Sequence, residues 1–107
     1  MPVINIEYDD VKLSEDEVKS LSEATQRVVS EVTGIEDVFV YANTAKVKVK
    51  IAPIEIFVQM SGHKIENLDD LTSKIKDKLA SWKIESGFKT PINLTVIPMN
   101  WKIEIGI

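Results

Sequence analysis

Residues 13–34 read LSEDEVKSLSEATQRVVSEVTG, and this stretch decides the fold because it has the pattern of one complete amphipathic helix. Ser14 followed by Glu17 three residues later is the capping-box pattern of a helix start. Gly34 is the residue type that most often ends a helix in the left-handed conformation. Helical spacing predicts one buried face made of Val18, Leu21, Thr25, Val28, Val29 and Val32.

The flanking segments predict one strand on each side of this helix. VINIEY (3–8) alternates and is rich in β-branched residues, and DVFVYA (37–42) has a similar composition. A strand–helix–strand connection within one sheet is right-handed and leaves its two strands parallel. The first half of the chain therefore predicts a βαβ unit.

The second half of the chain repeats this order. PIEIFVQM (53–60) is the most apolar predicted strand, and INLTVI (92–97) is the strand that follows the second helix. Asn67 is the predicted N-cap of that helix and Gly87 its C-terminal stop. The apolar positions of the helix keep helical spacing at Leu68, Leu71, Ile75, Leu79 and Trp82.

Two tandem units of this kind predict an α+β fold. We expect a two-layer α/β sandwich in which pseudo-symmetric βαβ units build one mixed sheet with two helices on one face. Pro2 opens the first unit and Pro53 opens the second, 51 residues later. Residues 1–107 are then one domain, with repeat halves of about 2–42 and 53–98.

Two further segments alternate strictly enough to predict short additional strands. AKVKVKI (45–51) alternates lysine with valine or isoleucine, and WKIEIGI (101–107) alternates apolar with charged residues. PMN (98–100) between the predicted strands is expected to form a turn. The row of Lys46, Lys48 and Lys50 on one side of segment 45–51 can bind an anion or simply face solvent at a sheet edge.

Composition excludes several classes of function. The chain has 107 residues, 44% of them hydrophobic, which is enough for one core, and a net charge of −4 disfavours nucleic acid as a partner. Without cysteine there is no disulfide or thiolate site, and one histidine cannot build a multi-histidine metal site. We expect no cofactor and no metal. The absence of a long apolar run or a signal-peptide pattern predicts a cytoplasmic protein with no membrane partner.

The predicted sheet leaves one face without a cover. Both helices lie on the same side, and the strands carry more apolar residues than a face left in water should have. A partner subunit is the simplest cover, so we predict a homo-oligomer. Two-fold and three-fold closure are both allowed by this argument.

A proline directly after the first methionine, a doubled βαβ layout of this size and a sheet that needs partners together resemble the tautomerase superfamily. The doubled form is similar to its macrophage migration inhibitory factor-like members. The resemblance implies a homotrimer in which the amine of Pro2, freed by removal of Met1, acts as the base. An α-amino group has a pKa of about 8, which an apolar pocket or a nearby cation lowers. The neutral amine would take a proton from a small 2-keto or enol acid.

The resemblance also implies the remaining site residues. Lys12 stands at the distance from Pro2 at which 4-oxalocrotonate tautomerases carry an arginine, so the resemblance implies Lys12 as the second catalytic residue beside Pro2. Phe39 falls near the position of their second arginine. Ile35 stands where macrophage migration inhibitory factors carry a lysine after the helix-ending glycine. Their loop near the proline matches MSGHKIEN here, and their last polar contacts match INLTVI. The substrate-binding residues implied in this way are His63, Lys64, Asn93 and Thr95, together with Phe39.

Three functions remain open from the sequence. The first is a tautomerase-like proton-transfer enzyme whose activity is weak, because the charged partners of the proline are moved or replaced. The alternative is a non-catalytic oligomer of the same fold that binds a small ligand or a protein. The third is a ferredoxin-like module that binds nucleic acid or a metabolite. A pI near 5.0 and the lack of an aromatic stacking motif argue against this third function.

Overall fold

The computed structural model describes residues 1–107 as a four-stranded mixed sheet with two helices packed on one face. The elements are β1 (Val3–Tyr8), α1 (Glu15–Thr33), β2 (Phe39–Asn43), β3 (Ile54–Ser61), a short 3-10 turn (Gly62–Lys64), α2 (Leu68–Ser86) and β4 (Asn93–Met99). The strand order is β2-β1-β3-β4. β1 and β2 are parallel, β3 and β4 are parallel, and β1 and β3 are antiparallel. The predicted α+β fold of two βαβ units is therefore confirmed.

Both helices begin and end where their capping residues predict. The Ser14 hydroxyl accepts a hydrogen bond from the Glu17 N–H at 3.2 Å, and the Glu17 carboxylate accepts one from the Ser14 N–H at 3.0 Å. Gly34 adopts φ +71°, and its N–H donates to the Ser30 carbonyl at 2.8 Å. At α2 the Asn67 side chain accepts from the Asp70 N–H at 2.9 Å. These bonds satisfy backbone groups that have no partner inside the helix.

The core lies between the sheet and the helices. Its strands contribute isoleucine and valine at every second position, as period-2 alternation requires. The side chains that are completely buried include Ile4, Ile6, Ile54, Ile56 and Val58 from the strands and Leu21, Val29 and Ile75 from the helices. Thr25 is also buried, and its hydroxyl donates to the Leu21 carbonyl at 2.7 Å, so the polar group remains satisfied. Val32, on the same predicted face, is half-buried.

The two prolines that suggested the repeat are not equivalent positions in the two units. Ile4 and Ile6 point into the core, whereas the residues 51 positions later, Glu55 and Phe57, point away from it. An odd shift exchanges the two faces of a strand. The halves therefore repeat the same elements in the same order, but their strands correspond only at an even spacing.

The predicted strand at 45–51 is not formed. Residues 44–53 are a linker that leads from β2 to β3, and β1, which lies between those two strands, is already paired on both sides. The segment has to cross β1 to join β2 to β3, so it does not run along the free outer edge of β2, and Val47 and Val49 are 84% and 99% exposed.

The last segment of the chain also differs from the prediction. Residues 101–107 have no regular secondary structure, and Ile105 is 77% exposed. The predicted turn at 98–100 is wrong, because β4 continues through Pro98 and Met99. β4 is an edge strand, so a proline there removes no inner ladder bond.

The side of the sheet opposite the helices, here called the outer face, is uncovered in the single chain. Its side chains form three rows across the four strands, taken in the order β2, β1, β3 and β4. The Val3 row and the Asn5 row carry most of the apolar groups, and the Glu7 row is polar. The rows are Phe39, Val3, Gln59, Ile97; Tyr41, Asn5, Phe57, Thr95; and Asn43, Glu7, Glu55, Asn93.

Neither helix is both long and apolar enough for a membrane span.

Candidate functional site

Pro2 lies immediately before β1 and is less than 2% exposed. Its carbonyl accepts a hydrogen bond from the Phe39 N–H at 3.2 Å, which ties the start of β1 to the start of β2. Proline has no N–H, so this position before the first ladder residue leaves no donor unpaired. Pro2 shares its orientation with Ile4 and Ile6, and its ring is therefore part of the helix-facing layer.

The antiparallel register brings the loop after β3 to the same end of the sheet as Pro2. Val3 pairs with Gln59, and continuing this register places Pro2 beside Met60 and Met1 beside Ser61. His63 and Lys64 follow in the 3-10 turn that ends β3, and both are exposed. Pro2, Phe39, His63 and Lys64 are thus gathered at one end of the sheet.

Sequence reasoning missed one polar residue at this end, Ser61. It is 8% exposed, and its Oγ lies 2.7 Å from Nδ1 of His63. The bond holds the imidazole against the end of β3, and the His63 side chain remains exposed. The spacing of a serine two residues before a histidine, across Gly62, is the signal that could have suggested this pair.

Three other residues implied by the resemblance lie away from Pro2 within one chain. Lys12 is exposed in the turn after β1, where its N–H donates to the Asp9 carbonyl at 3.0 Å. Six residues of extended strand separate Pro2 from Tyr8, a distance of about 20 Å. Asn93 lies near that far end of the sheet, where it donates to Glu55 at 2.9 Å, and Thr95 lies midway, opposite Phe57.

The far end of β1 holds a cavity of about 340 Å³ between the linker and the outer face. Three of the larger side chains that line it are apolar or aromatic: Tyr8, Ile51 and Phe57. Its charged groups are Glu7, Glu55 and Lys50.

The linker that closes this cavity is held by Lys48. Its ammonium pairs with Asp10 and lies 3.4 Å from an oxygen of Asp9, which connects the linker to the turn after β1. The hydrogen bond that the Lys48 ammonium donates to Asp10, reinforced by Asp9, raises the pKa of Lys48 above its ordinary value.

No family model and no curated protein matches this chain, but solved structures do. Malonate semialdehyde decarboxylase, described with decarboxylase and hydratase activities, aligns with TM-score 0.67 and 8% identity over 98% of this chain and 92% of its own. A fused 4-OT wild-type asymmetric trimer aligns with TM-score 0.66 and 9% identity over 94% and 91%. A macrophage migration inhibitory factor-like protein from Entamoeba histolytica aligns with TM-score 0.55 and 18% identity over 96% and 93%. The chain therefore shares its fold with these three proteins.

Proposed function

We propose that this protein is a tautomerase-like proton-transfer catalyst that acts slowly on a small 2-keto or enol acid. The base is the amine of Pro2 after removal of Met1. The observation that carries the proposal is the place of Pro2 in this fold: it lies at the start of β1, with Phe39, His63 and Lys64 at the same end of the sheet.

The chemistry uses one proton shuttled by one amine. The neutral secondary amine removes a proton from the carbon beside the keto group or from the enol hydroxyl, and the resulting ammonium returns it at the other atom. His63 supplies a donor toward the developing enolate, and Lys64 supplies a positive charge for the carboxylate. Ser61 holds the imidazole at 2.7 Å.

The rate is expected to be low because the carboxylate clamp is weak. Ile35 and Phe39 stand where the superfamily resemblance implies a lysine and an arginine, and neither side chain can bind an anion. Lys64 offers a point charge in place of the two parallel hydrogen bonds of a guanidinium.

The test compares chains that differ only at the N-terminus, using enol–keto exchange of phenylpyruvate as the assay. Chains with Met1 removed should catalyse exchange, and chains that retain Met1 should not, because their Pro2 nitrogen is an amide. Pro2→Ala should lower the rate without abolishing it, since a primary amine remains. Pro53→Ala, at the other strand-initial proline, is the matched control and should leave the rate unchanged. Equal rates with free and blocked Pro2 would contradict the proposal.

The same proposal includes a homotrimer whose subunits cover the part of the outer face that lies outside the cavity at the far end of β1. In the Val3 row and the Asn5 row, Phe39 is 45% exposed and Tyr41 is 56% exposed. Large apolar side chains clustered in this way are unusual on a sheet face that meets water. Phe39→Lys should shift sedimentation toward the monomer, whereas Val49→Lys, at a fully exposed linker position, should not. A stable wild-type monomer at micromolar concentration would contradict this assembly.

The alternative function is a non-catalytic oligomer that binds a small ligand or a protein. The nearly complete burial of Pro2 and the position of Lys12 at the far end of β1 favour it. The intact mass of the protein purified from its own cells separates the two functions. A mass that includes Met1 would exclude Pro2 as the base and leave the binding function.

A further inference from the structure

Two carboxylates face each other on the outer face at the end of the sheet away from Pro2. Glu7 on β1 is directly opposite Glu55 on β3 in the antiparallel register. Like charges in this position destabilise a sheet. Glu55 accepts a hydrogen bond from Asn93 at 2.9 Å, whereas the side chain of Glu7 makes no hydrogen bond or ion pair. The chain thus carries an unfavourable pair where a neutral side chain would serve the fold better.

Glu7 is exposed and Glu55 is half-buried, and both lie at a pocket that opens to solvent. The pair lines the cavity of about 340 Å³, which is the size of a small-ligand site and is walled by the rings of Tyr8 and Phe57 and by Ile51. Lys50 is the one basic side chain in the wall, so the lining carries a net charge of −1 with both glutamates ionised.

The residues that line the cavity favour an organic cation over a metal ion. No group of three or more histidine, cysteine, aspartate or glutamate side chains in the chain is arranged to hold a metal ion. A divalent metal takes several oxygen ligands, which two carboxylates beside a lysine do not supply. The apolar walls instead suit a ligand that has a hydrocarbon body as well as a charge.

We propose that this cavity binds a small organic monocation, a primary amine carried on a short aromatic or aliphatic body. The ammonium has three donors and can bond to both carboxylates at once, which turns the repulsion between Glu7 and Glu55 into a shared attraction. The hydrocarbon body lies against Ile51 and Phe57. The positive charge beside it is also attracted electrostatically to the π electrons of the Phe57 ring. The site is separate from Pro2, about 20 Å along β1, and does not depend on the proposed proton transfer.

Removing either carboxylate of the Glu7–Glu55 pair should change the melting temperature and the affinity for the amine in opposite senses. Glu7→Gln and Glu55→Gln each remove one member of the repelling pair, so each variant should melt a few degrees higher than the wild type without ligand. The same variants should bind the amine at least tenfold more weakly. A purely structural role for the glutamates predicts lower melting temperatures instead.

The probe is benzylamine, with benzyl alcohol and benzoate as its neutral and anionic counterparts. Saturable binding is followed by amide chemical shifts of residues 50–52 and 54–57 in two-dimensional NMR and by the melting temperature. Benzylamine should bind the wild type and the Glu85→Gln control, which makes the same charge change on exposed α2 surface. It should also bind Pro2→Ala, which keeps this test distinct from that of the proton-transfer function. Equal binding of benzylamine and benzyl alcohol, or amine affinity unchanged within twofold in both glutamate variants, would overturn the proposal.

Discussion

Val29→Asp tests the inner face of α1 most directly. Val29 is completely buried in the core between α1 and the sheet. Replacing it forfeits the burial of a valine side chain, worth roughly 1.5–3 kcal/mol. An unpaired carboxylate in that position costs several kcal/mol more. The sum is at least about 4 kcal/mol, a large part of the roughly 5–15 kcal/mol that stabilises a domain of ordinary size.

The measurement is urea unfolding followed by tryptophan fluorescence, at one fixed protein concentration because assembly would contribute to stability. With an m-value of about 2 kcal/mol/M, the midpoint should fall by about 2 M.

Val49→Asp is the matched control. It makes the same chemical change at a linker position that is 99% exposed, and it should change the free energy of unfolding by less than about 0.5 kcal/mol. Equal losses for the two variants would mean that residues 45–51 are a buried strand after all. An unchanged midpoint for Val29→Asp would mean that the inner face of α1 is wrongly assigned.

Two further predictions concern the linker. The hydroxyl of Thr44 is buried and has no hydrogen-bond partner, so Thr44→Val should raise the free energy of unfolding by about 1 kcal/mol, and a clearly lower urea midpoint would contradict this reading. The raised pKa of Lys48 means that its ion pairs contribute fully below the unfolded-state pKa of about 10.4 and are lost as pH rises through the folded value. Methyl NMR shifts of Val47 and Val49 should therefore stay constant from about pH 6 to 9 and move only in alkaline solution, and a transition near neutrality would exclude Lys48 as the group that holds the linker.

Three residues of the candidate site, Pro2, His63 and Lys64, were implied by the resemblance to the tautomerase superfamily, and the fold brings them to one end of the sheet. Ser61 was missed because its hydrogen bond to His63 depends on where β3 ends.

The cavity with Glu7 and Glu55 was missed for a stronger reason. These residues are 48 positions apart in the chain, and only the antiparallel pairing of β1 with β3 places them opposite each other. Strand alternation indicates which side chains share a face but not which strand lies beside which.

Local features of the sequence were enough to determine the helices and the four strands of the sheet. Capping boxes, helix-ending glycines and period-2 or period-3.6 spacing act over a few residues, so they can be read without knowing the fold. Only the tertiary structure decided the fate of the alternating segments 45–51 and 101–107, which have the pattern of strands and form none. A strand forms only where its backbone N–H and C=O groups meet a partner strand. In this single chain the linker crosses β1 to join β2 to β3, and residues 101–107 pair with no strand, so both outcomes depend on the strand order of the whole sheet rather than on either segment.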